Sequence, residues 1–288
     1  DSTAAIANER FASVMEDLLT PRTQKWHGLK PPAKYESLMD RQSVRKWFED
    51  VRDVLFSMRY APRANYASQR SQGYELLGAI GNSALFIDDE VGRGARYISC
   101  HMSEIFWSED QYGRIDTVYR RFPFEARKAR QKWGKQLPEN IRQAAEKDPF
   151  KEFEFIHVVK PNEERKHGRL DYHGMPWSSF YVSIEDKVTL SVGGYTSWPW
   201  AIGRYKVATR ERYGRSPAMM AWPAIMTLQE AKKTILRAGQ KEVDPPILLT
   251  EEGVLEQFSL RPGALNHGAI SSQGELLAQP FKTGANVP

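Results

Sequence analysis

Apolar residues recur at helical spacing in two stretches near the start of the chain. The first spans residues 6–18 and ends before Pro21. The second spans residues 44–58 and repeats apolar side chains at i, i+3, i+4 and i+7 after a possible cap at Asp40. Both are expected to be amphipathic helices with their apolar stripes in the core. The apolar positions of the second stretch are Val44, Trp47, Phe48, Val51, Val54, Leu55 and Met58.

The middle of the chain alternates apolar and polar residues and predicts β-structure. A helix is expected over the polar stretch that ends at Gly81, and two short helices at 124–133 and 138–147. Hairpins are predicted at 83–88 with 95–100, at 104–107 with 114–122, and at 177–184 with 187–195, together with a strand at 153–159. Trp198 to Trp200 are expected to form a corner, and strands to follow at 247–249 and 253–260. The pattern predicts an α+β fold.

Residues 216–244 contain the signals of a long helix. Ser216 is a good N-cap and Pro217 a good first helical residue, because the cap oxygen accepts an orphan N–H and proline has none. Pro223 is expected to interrupt the helix. Thr227 and Glu230 form a capping-box pattern that would restart it.

The long helix is expected to end at Asp244, since the two prolines that follow disfavour helical backbone before them. Its surface combines cations with small residues, among them Ala231, Ala238 and Gly239, which permit close approach of another helix. A solvated basic face is the simple interpretation, and contact with a polyanion is the functional one. The cations are Lys233, Arg237 and Lys241 at four-residue spacing, with Lys232 beside them.

Composition sets broad limits on function. The net charge of +5 and a pI of about 9.1 permit contact with a polyanion without requiring it. The single cysteine, Cys100, excludes an internal disulfide framework and fits a reducing cytosol. No apolar run approaches the roughly 18 residues that span a membrane, so we expect no membrane partner. The chain starts without Met, and we expect a fragment or a processed product.

Motifs for catalysis or for cofactors are almost absent. The sequence has no GxxxxGK[ST], no GxSxG and no HExxH pattern, and one cysteine excludes cysteine-rich zinc sites. We therefore predict no catalytic residues, no metal and no cofactor. His167 and His173 lie close together only in a charged loop. An alternative is a metal-dependent enzyme acting on nucleic acid, with Mg²⁺ held by Asp88, Asp89 and Glu90, although such a cluster is usually a solvated turn.

A set of ordered motifs resembles the head-to-tail connecting, or portal, proteins of T7-like short-tailed bacteriophages. The main motif is YGRSPAMMAWPAIMTLQEAKKTILRAGQKEVDPPILL at residues 213–249, followed by RPGALN at 261–266. Upstream lie DSTAA at the start, LTPR at 19–22 with Trp26, GRIDTVYRRF at 113–122, and GGY at 193–195 before Pro199. The resemblance covers essentially the whole chain. It is specific because the motifs occur together and in the family's order, whereas no single motif would be specific.

The resemblance implies a portal-type subunit with a mixed α/β wing, a long stem helix and a small β-containing clip. Residues 1–215 would be the N-terminal part of the wing, 216–244 the first stem helix and 245–288 the first half of the clip. The second stem helix, the remaining wing and the crown would follow Pro288. Such a truncated chain is not expected to close a ring readily.

The same resemblance implies a structural protein of the virion rather than an enzyme, and an internal virion protein without a channel is the simpler alternative within that class. Its copies, usually twelve, would form a ring around a channel for packaging and ejecting double-stranded DNA, assembled in the host cytoplasm and placed at the portal vertex of the capsid. Further partners would be a tail adaptor, a terminase, and capsid and scaffold proteins. Lys232, Lys233, Arg237 and Lys241 would contact DNA without reading sequence, and Glu251, Glu252 and Arg261 would meet the adaptor.

Overall fold

The structure is a computed structural model that describes residues 2–90, 92, 94–243, 247–250, 259, 261, 263–270 and 273–275. By its internal contacts the chain divides into two units, Ser2–Met220 and Ala221–Pro288, with Asp1 grouped with the second. Each unit is described by itself below.

The first unit consists of helices and antiparallel strands, joined in places by short 3₁₀ segments. The helices are α1 (Thr3–Leu19), α2 (Gln42–Tyr60), α3 (Tyr66–Ile80), α4 (Ala126–Trp133) and α5 (Glu139–Lys147). The strands are β1 (Asn82–Glu90), β2 (Gly94–Cys100), β3 (Ile105–Glu109), β4 (Ile115–Glu125), β5 (Glu152–Pro161), β6 (Trp177–Ser183), β7 (Val188–Tyr195) and β8 (Trp200–Arg204). The α+β class expected from the sequence is confirmed.

The strands form two sheets. A three-stranded sheet has the order β2-β1-β8, and a five-stranded sheet has the order β3-β4-β5-β6-β7. All pairs in these two sheets are antiparallel, and the three predicted hairpins are present. β8 was missed, because the aromatic residues at 198–200 favoured a corner; Trp200 instead pairs with Phe86 and extends the smaller sheet.

The first unit is layered, with helices on the smaller sheet and the smaller sheet on part of the larger one. Phe86 and Trp200 of the smaller sheet pack with Trp107, Val118 and Val159 of the larger sheet. On the other face of the smaller sheet lies α3, whose Gly73 lies close to the Ser83 side chain.

Two short helices cover the rest of the inner face of the larger sheet. Trp133 of α4 and Ile141 of α5 pack against Phe122, Phe155 and Leu190. The strong alternation of β5 explains this core, since its odd-numbered residues from 153 to 159 are all buried and its even-numbered residues are not.

The predicted core stripes of α1 and α2 are largely wrong. On α1, Leu18 is 75% exposed, and Ile6 and Val14 are exposed as well. On α2, Trp47 and Val54 are 59% and 56% exposed. The following residues of the two stripes are exposed: Ile6, Val14, Leu18, Trp47, Val54, Leu55 and Met58.

An aromatic cluster decides which face of α2 is buried. Phe56, on another side of the helix, contacts the rings of Trp26 and His27, and the Arg59 guanidinium lies 4.8 Å from the Trp26 ring centroid. The Arg59 side chain also hydrogen-bonds His27 at 2.7 Å. These contacts bury a face of α2 that lies outside the apolar stripe predicted from the sequence.

The second unit contains most of α6 (Pro217–Val243) and the strands β9 (Ile247–Thr250) and β10 (Leu265–Ile270). β9 confirms the strand predicted at 247–249. β10 was not predicted, and it pairs with β9 in parallel, with Leu265 opposite Ile247. The strand predicted at 253–260 and the helix end at Asp244 lie outside the described residues, apart from Ser259.

Candidate nucleic-acid interface

The predicted cap at the start of α6 is confirmed. The Ser216 hydroxyl accepts a hydrogen bond from the Met219 N–H and donates one to the Ala79 carbonyl of α3, each at 2.9 Å. Ser216 is completely buried, and Pro217 occupies the first helical position. One side chain therefore both caps α6 and joins its first turn to α3.

Three residues close to this cap fix the backbone approach to α6. Asn82 donates to the Gly214 carbonyl at 3.1 Å and accepts from the Gly214 N–H at 2.6 Å. Gly81 has a positive φ of 83°, and a Cβ there would lie 2.5 Å from the Arg215 carbonyl carbon. Only glycine suits this left-handed position against a neighbouring backbone.

The interruption predicted at Pro223 is wrong, because α6 runs without a break from Pro217 to Val243. Thr227 does not restart the helix. Its hydroxyl donates to the Pro223 carbonyl at 3.0 Å, one turn back. Glu230 likewise serves no cap and instead lies 3.3 Å from the Lys233 ammonium. A proline near a helix start removes one backbone bond, and the long helix tolerates that loss.

The cationic residues of α6 occupy two different sides of the helix. Lys232, Lys233 and Arg237 are all exposed. At 3.6 residues per turn, Arg237 lies about 40° from Lys233, whereas Lys232 lies about 100° from it. The ion pair of Lys233 and Glu230 is exposed, so it contributes little to stability. The side chain of Lys241 lies outside the described residues.

The side opposite Lys233 carries a seam of apolar and small residues at seven-residue spacing. Ala224, Ala231 and Ala238 form one row, and Leu228 and Ile235 belong to the row beside it. All five are exposed, with Ile235 at 60%. A seven-residue apolar repeat is typical of helices that pack along one another, and alanine permits a close approach. The sequence showed Leu228, Ile235 and the small residues as an apolar run of the helix, but their seven-residue period was missed.

The predicted adaptor contacts are described only in part. Arg261 is exposed, and its backbone N–H donates to the Ser259 hydroxyl at 3.4 Å. Glu251 and Glu252 lie outside the described residues. The assignment of these three residues to a docking surface therefore stays a prediction.

The acidic residues of the alternative hypothesis lie at the end of β1. Asp88 is half-buried and accepts the Asp89 N–H at 3.1 Å, whereas Asp89 is exposed. Burial raises the Asp88 pKa, and nearby Lys132 partly opposes that shift. Glu90 has no described side chain, and within the described residues no group of three His, Cys, Asp or Glu side chains could hold a metal. Lys132 is a cation of the chain itself that acts on Asp88.

Beside Asp88 lies a polar network that sequence reasoning missed. His157 is buried, hydrogen-bonds the Ser179 hydroxyl at 2.9 Å and stacks on Tyr181 with ring centroids 4.0 Å apart. Burial lowers the His157 pKa to about 3, so this ring is neutral near pH 7. The Lys132 ammonium lies 4.0 Å from the Tyr181 ring centroid, and desolvation lowers its pKa even though the residue as a whole is exposed.

The other cations of α4 form surface contacts. Lys128 pairs with Glu125, Arg130 with Glu146 at 3.1 Å, and Arg127 lies 5.7 Å from the Phe150 ring centroid. These pairings agree with a solvated basic helix rather than a nucleic-acid surface. In the described part of the chain, no helix is both long enough and apolar enough to cross a membrane.

The α+β architecture and the long exposed basic helix are those of a phage portal-type subunit, the class that the resemblance implied. The model of the family described as "Bacteriophage head to tail connecting protein" matches residues 1–287. The chain belongs to that family. The resemblance found in the sequence is confirmed, and nothing in the match supports the metal-dependent alternative.

Two curated relatives agree with this family assignment. The "Probable portal protein" of Bordetella phage BPP-1 is 24% identical over 271 residues, which are 93% of this chain and 48% of that protein. The "Portal protein" of Salmonella phage epsilon15 is 24% identical over 280 residues, which are 95% of this chain and 50% of that protein. The chain thus spans about half the length of the curated relatives it matches.

Proposed function

We propose that this chain is part of a phage portal subunit, copies of which form a ring around a DNA channel at one vertex of the capsid. The observation that carries the proposal is the exposure of α6. Every residue from 226 to 240 is exposed, including Leu228, Ile235 and Leu236. An apolar helix face normally becomes buried against another element, so other helices are needed to complete this one.

The domain assignment follows the same proposal. Residues 1–215 are the wing, 216–244 the first stem helix and 245–288 the first half of the clip. The first compact unit ends at Met220, close to the proposed end of the wing. Within that first unit, the buried Ser216 contacts both α3 and the first turn of α6.

DNA is the polyanion that the basic side of α6 suits. With the alanine seam packed on a neighbouring helix, Lys233 and Arg237 point away from that helix. Flexible cations of this kind contact phosphates at any sequence, which suits DNA that must slide. Lys241 continues the stripe one turn further, and Lys232 lies closer to the seam, where a neighbouring subunit is the better partner.

The remaining partners are those of a connector between head and tail. The clip, with Glu251, Glu252 and Arg261, docks a tail adaptor, and the ring meets capsid, scaffold and terminase proteins. The chain carries no catalysis of its own and needs no cofactor. It resides in the virion after assembly in the host cytoplasm.

The test uses the intact protein in native mass spectrometry and electron microscopy, followed by a DNA packaging assay. The proposal expects ring particles of about twelve subunits with a central hole. A monomer or dimer under all assembly conditions would reject it.

The DNA contacts are tested by a triple variant with Ala at Lys233, Arg237 and Lys241. It should form normal rings but retain less packaged DNA at low salt, and the difference from the parent should shrink as salt is raised, because salt weakens the phosphate contacts that the parent still has. The matched control removes three exposed cations elsewhere, at Lys46, Lys135 and Lys147, and should package normally. Equal packaging by both variants would exclude DNA contact by the α6 stripe.

A further inference from the structure

Each of the two sheets in the first unit has two edge strands. The edges of the smaller sheet are β2 and β8, and those of the larger sheet are β3 and β7. In an antiparallel sheet, every second residue of an edge strand points its N–H and C=O away from the sheet. Proteins normally cap or cover these groups, because an open edge pairs with other extended chains.

The edge of β2 is capped by groups of the same unit. The Tyr97 N–H donates to the Ala64 carbonyl at 2.9 Å, just before the start of α3. The Ser99 N–H donates to the Gln69 side chain of α3 at 2.6 Å. These two bonds occupy donors that a partner strand would otherwise need.

The edges formed by β3 and β8 are short, with five residues each. Each strand ends in a charged residue, Glu109 on β3 and Arg204 on β8, and the two side chains form an ion pair. Shortness and charge are both common protections of a sheet edge. The fourth edge, β7, differs from these three.

β7 is longer and has neither a cap nor a charge. Its eight residues, VTLSVGGY, include no charged side chain and no proline. Among the residues that the structure describes, its backbone groups hydrogen-bond only to β6. A bulge disturbs the pairing near Leu190, so the regular open edge comprises residues 191–195. These five residues are free to pair with an incoming strand.

An open cleft of about 220 Å³ lies along the same five residues. The rest of its lining is Ser179 and Tyr181 of β6, which contact the buried His157, so the cleft is on the inner side of the sheet. A Cβ at Gly193 would have no atom beyond its chain neighbours within 4 Å. Since one water needs only about 10–15 Å³ of such space, the cleft has room for a side chain of an added strand.

We propose that residues 191–195 of β7 bind an extended segment of a partner protein, which adds a sixth strand to the larger sheet. The segment pairs antiparallel, as all strands of this sheet do. A large side chain opposite Gly193 enters the cleft, and an apolar one lies beside Val192, which is 45% exposed on the outer side. Backbone hydrogen bonds supply the affinity, and the cleft supplies the specificity. The inference goes beyond the proposed function and does not depend on ring formation.

A second copy of β7 does not fit this description. Side chains directly opposite each other in a sheet lie on the same face. Antiparallel pairing of residues 191–195 with the same residues of a second copy places Gly193 opposite Gly193 and Val192 opposite Gly194. No side chain then enters the cleft from the position opposite Gly193. The partner segment therefore has a sequence different from that of β7.

The side chain that enters the cleft is uncharged. The described lining offers hydroxyl groups and no charged side chain. Charged groups of both signs lie near Tyr181, with Asp88 opposed by Arg120 and Lys132. The cleft thus favours neither a cation nor an anion, and a buried charge without a partner is costly. A tyrosine meets these requirements, because its ring is apolar and its hydroxyl can bond the hydroxyls of the lining.

A synthetic peptide, acetyl-Thr-Val-Tyr-Val-Thr-amide, tests the open edge of the intact chain. In antiparallel pairing its tyrosine lies opposite Gly193 and its valines opposite Val192 and Gly194. Fluorescence anisotropy, with a dye on a flexible linker, should show saturable binding below about 1 mM peptide. At a peptide concentration about ten times the Kd, the outward-facing amides of residues 191–195 should exchange about tenfold more slowly, and the amides of α5 should not change.

Backbone methylation separates strand pairing from side-chain contact. One peptide is N-methylated at both valines and another at the tyrosine and the last threonine, because alternate amides of a strand point in opposite directions. One of the two should bind about tenfold more weakly than the parent peptide, since it loses two hydrogen bonds. The other should bind almost as well as the parent peptide.

Filling the cleft tests the specificity. Gly193→Leu places a side chain in the open space and should weaken binding of the tyrosine peptide about tenfold without lowering the urea midpoint. The matched control, Thr189→Leu, lies on β7 outside residues 191–195 and should bind normally. A peptide with alanine in place of tyrosine should bind equally to the parent protein and to Gly193→Leu.

Four results would each overturn the inference. They are an absence of saturable binding, equal binding of the two methylated peptides, normal binding of the tyrosine peptide by Gly193→Leu, and dimers of the chain that Val192→Lys abolishes. The last result would assign the edge to a second copy. None of the four bears on the proposed ring, which is tested by particle size.

Discussion

Replacing Ser216 by alanine tests whether one hydroxyl fixes the start of α6. The substitution removes the cap bond to the Met219 N–H, a loss of about 1 kcal/mol for a serine cap. It also removes the bond to the Ala79 carbonyl. Because that bond is only part-buried, water can replace part of it, and the further loss is about 0.5–1 kcal/mol. Ser216→Ala should therefore lower the free energy of unfolding by about 2 kcal/mol.

Urea unfolding followed by tryptophan fluorescence measures this loss. With a slope of about 2–3 kcal/mol per molar urea, the midpoint should fall by about 0.7–1 M. Ser43→Ala is the matched control, since Ser43 is exposed near the start of α2, where no side chain caps the helix. Its midpoint should move by less than a third as much.

Hydrogen exchange separates local from global effects. In Ser216→Ala the Met219 amide should lose protection more than the amides in the middle of α6, because it loses its own acceptor. An unfolding midpoint equal to that of the parent protein, with unchanged exchange at Met219, would refute the role assigned to this hydroxyl.

Two further changes have definite expected outcomes. Gly81→Ala should destabilise the first unit by more than about 2 kcal/mol, since the strain of its positive φ adds to a clash with the backbone at Arg215. Gly113 also has a positive φ, of 76°, but open space around it. In the same urea assay, Gly113→Ala should therefore lower the free energy of unfolding by only about 1 kcal/mol. The neutral, buried His157 should make stability fall by about 2 kcal/mol from pH 7 to pH 5, because its pKa is lowered to about 3 and the unfolded chain binds the proton first. His157→Phe should lack this component, and parallel pH profiles for the two proteins would contradict it.

Most secondary structure could be predicted because it follows from local pattern. The alternation at 153–159 marks β5, and Ser216 followed by Pro217 marks the start of α6. Both signals arise from backbone geometry within a few residues, so they need no knowledge of distant contacts. The parallel strand β10 gave no such signal, since its pairing depends on β9 more than ten residues away.

Local sequence patterns also gave wrong predictions at identifiable places. Pro223 was expected to break α6, but the helix around it is long enough to absorb one missing hydrogen bond. The stripe of α2 was expected in the core, but Phe56 and Arg59 hold the helix by another face. A hydrophobic period in the sequence indicates that one face of a helix packs against another element. It does not indicate whether that element belongs to the same compact unit.

The sequence by itself determined the family, the α+β class and the basic stripe on the long helix, because these depend on residue order and on local spacing. Only the tertiary structure decided which surfaces remain open. The alanine seam of α6 and the exposed part of the α2 stripe became visible only once the other contacts had been placed. Burial is a property of the whole packed chain, and the exposed side of α6 is the surface on which the proposed ring depends.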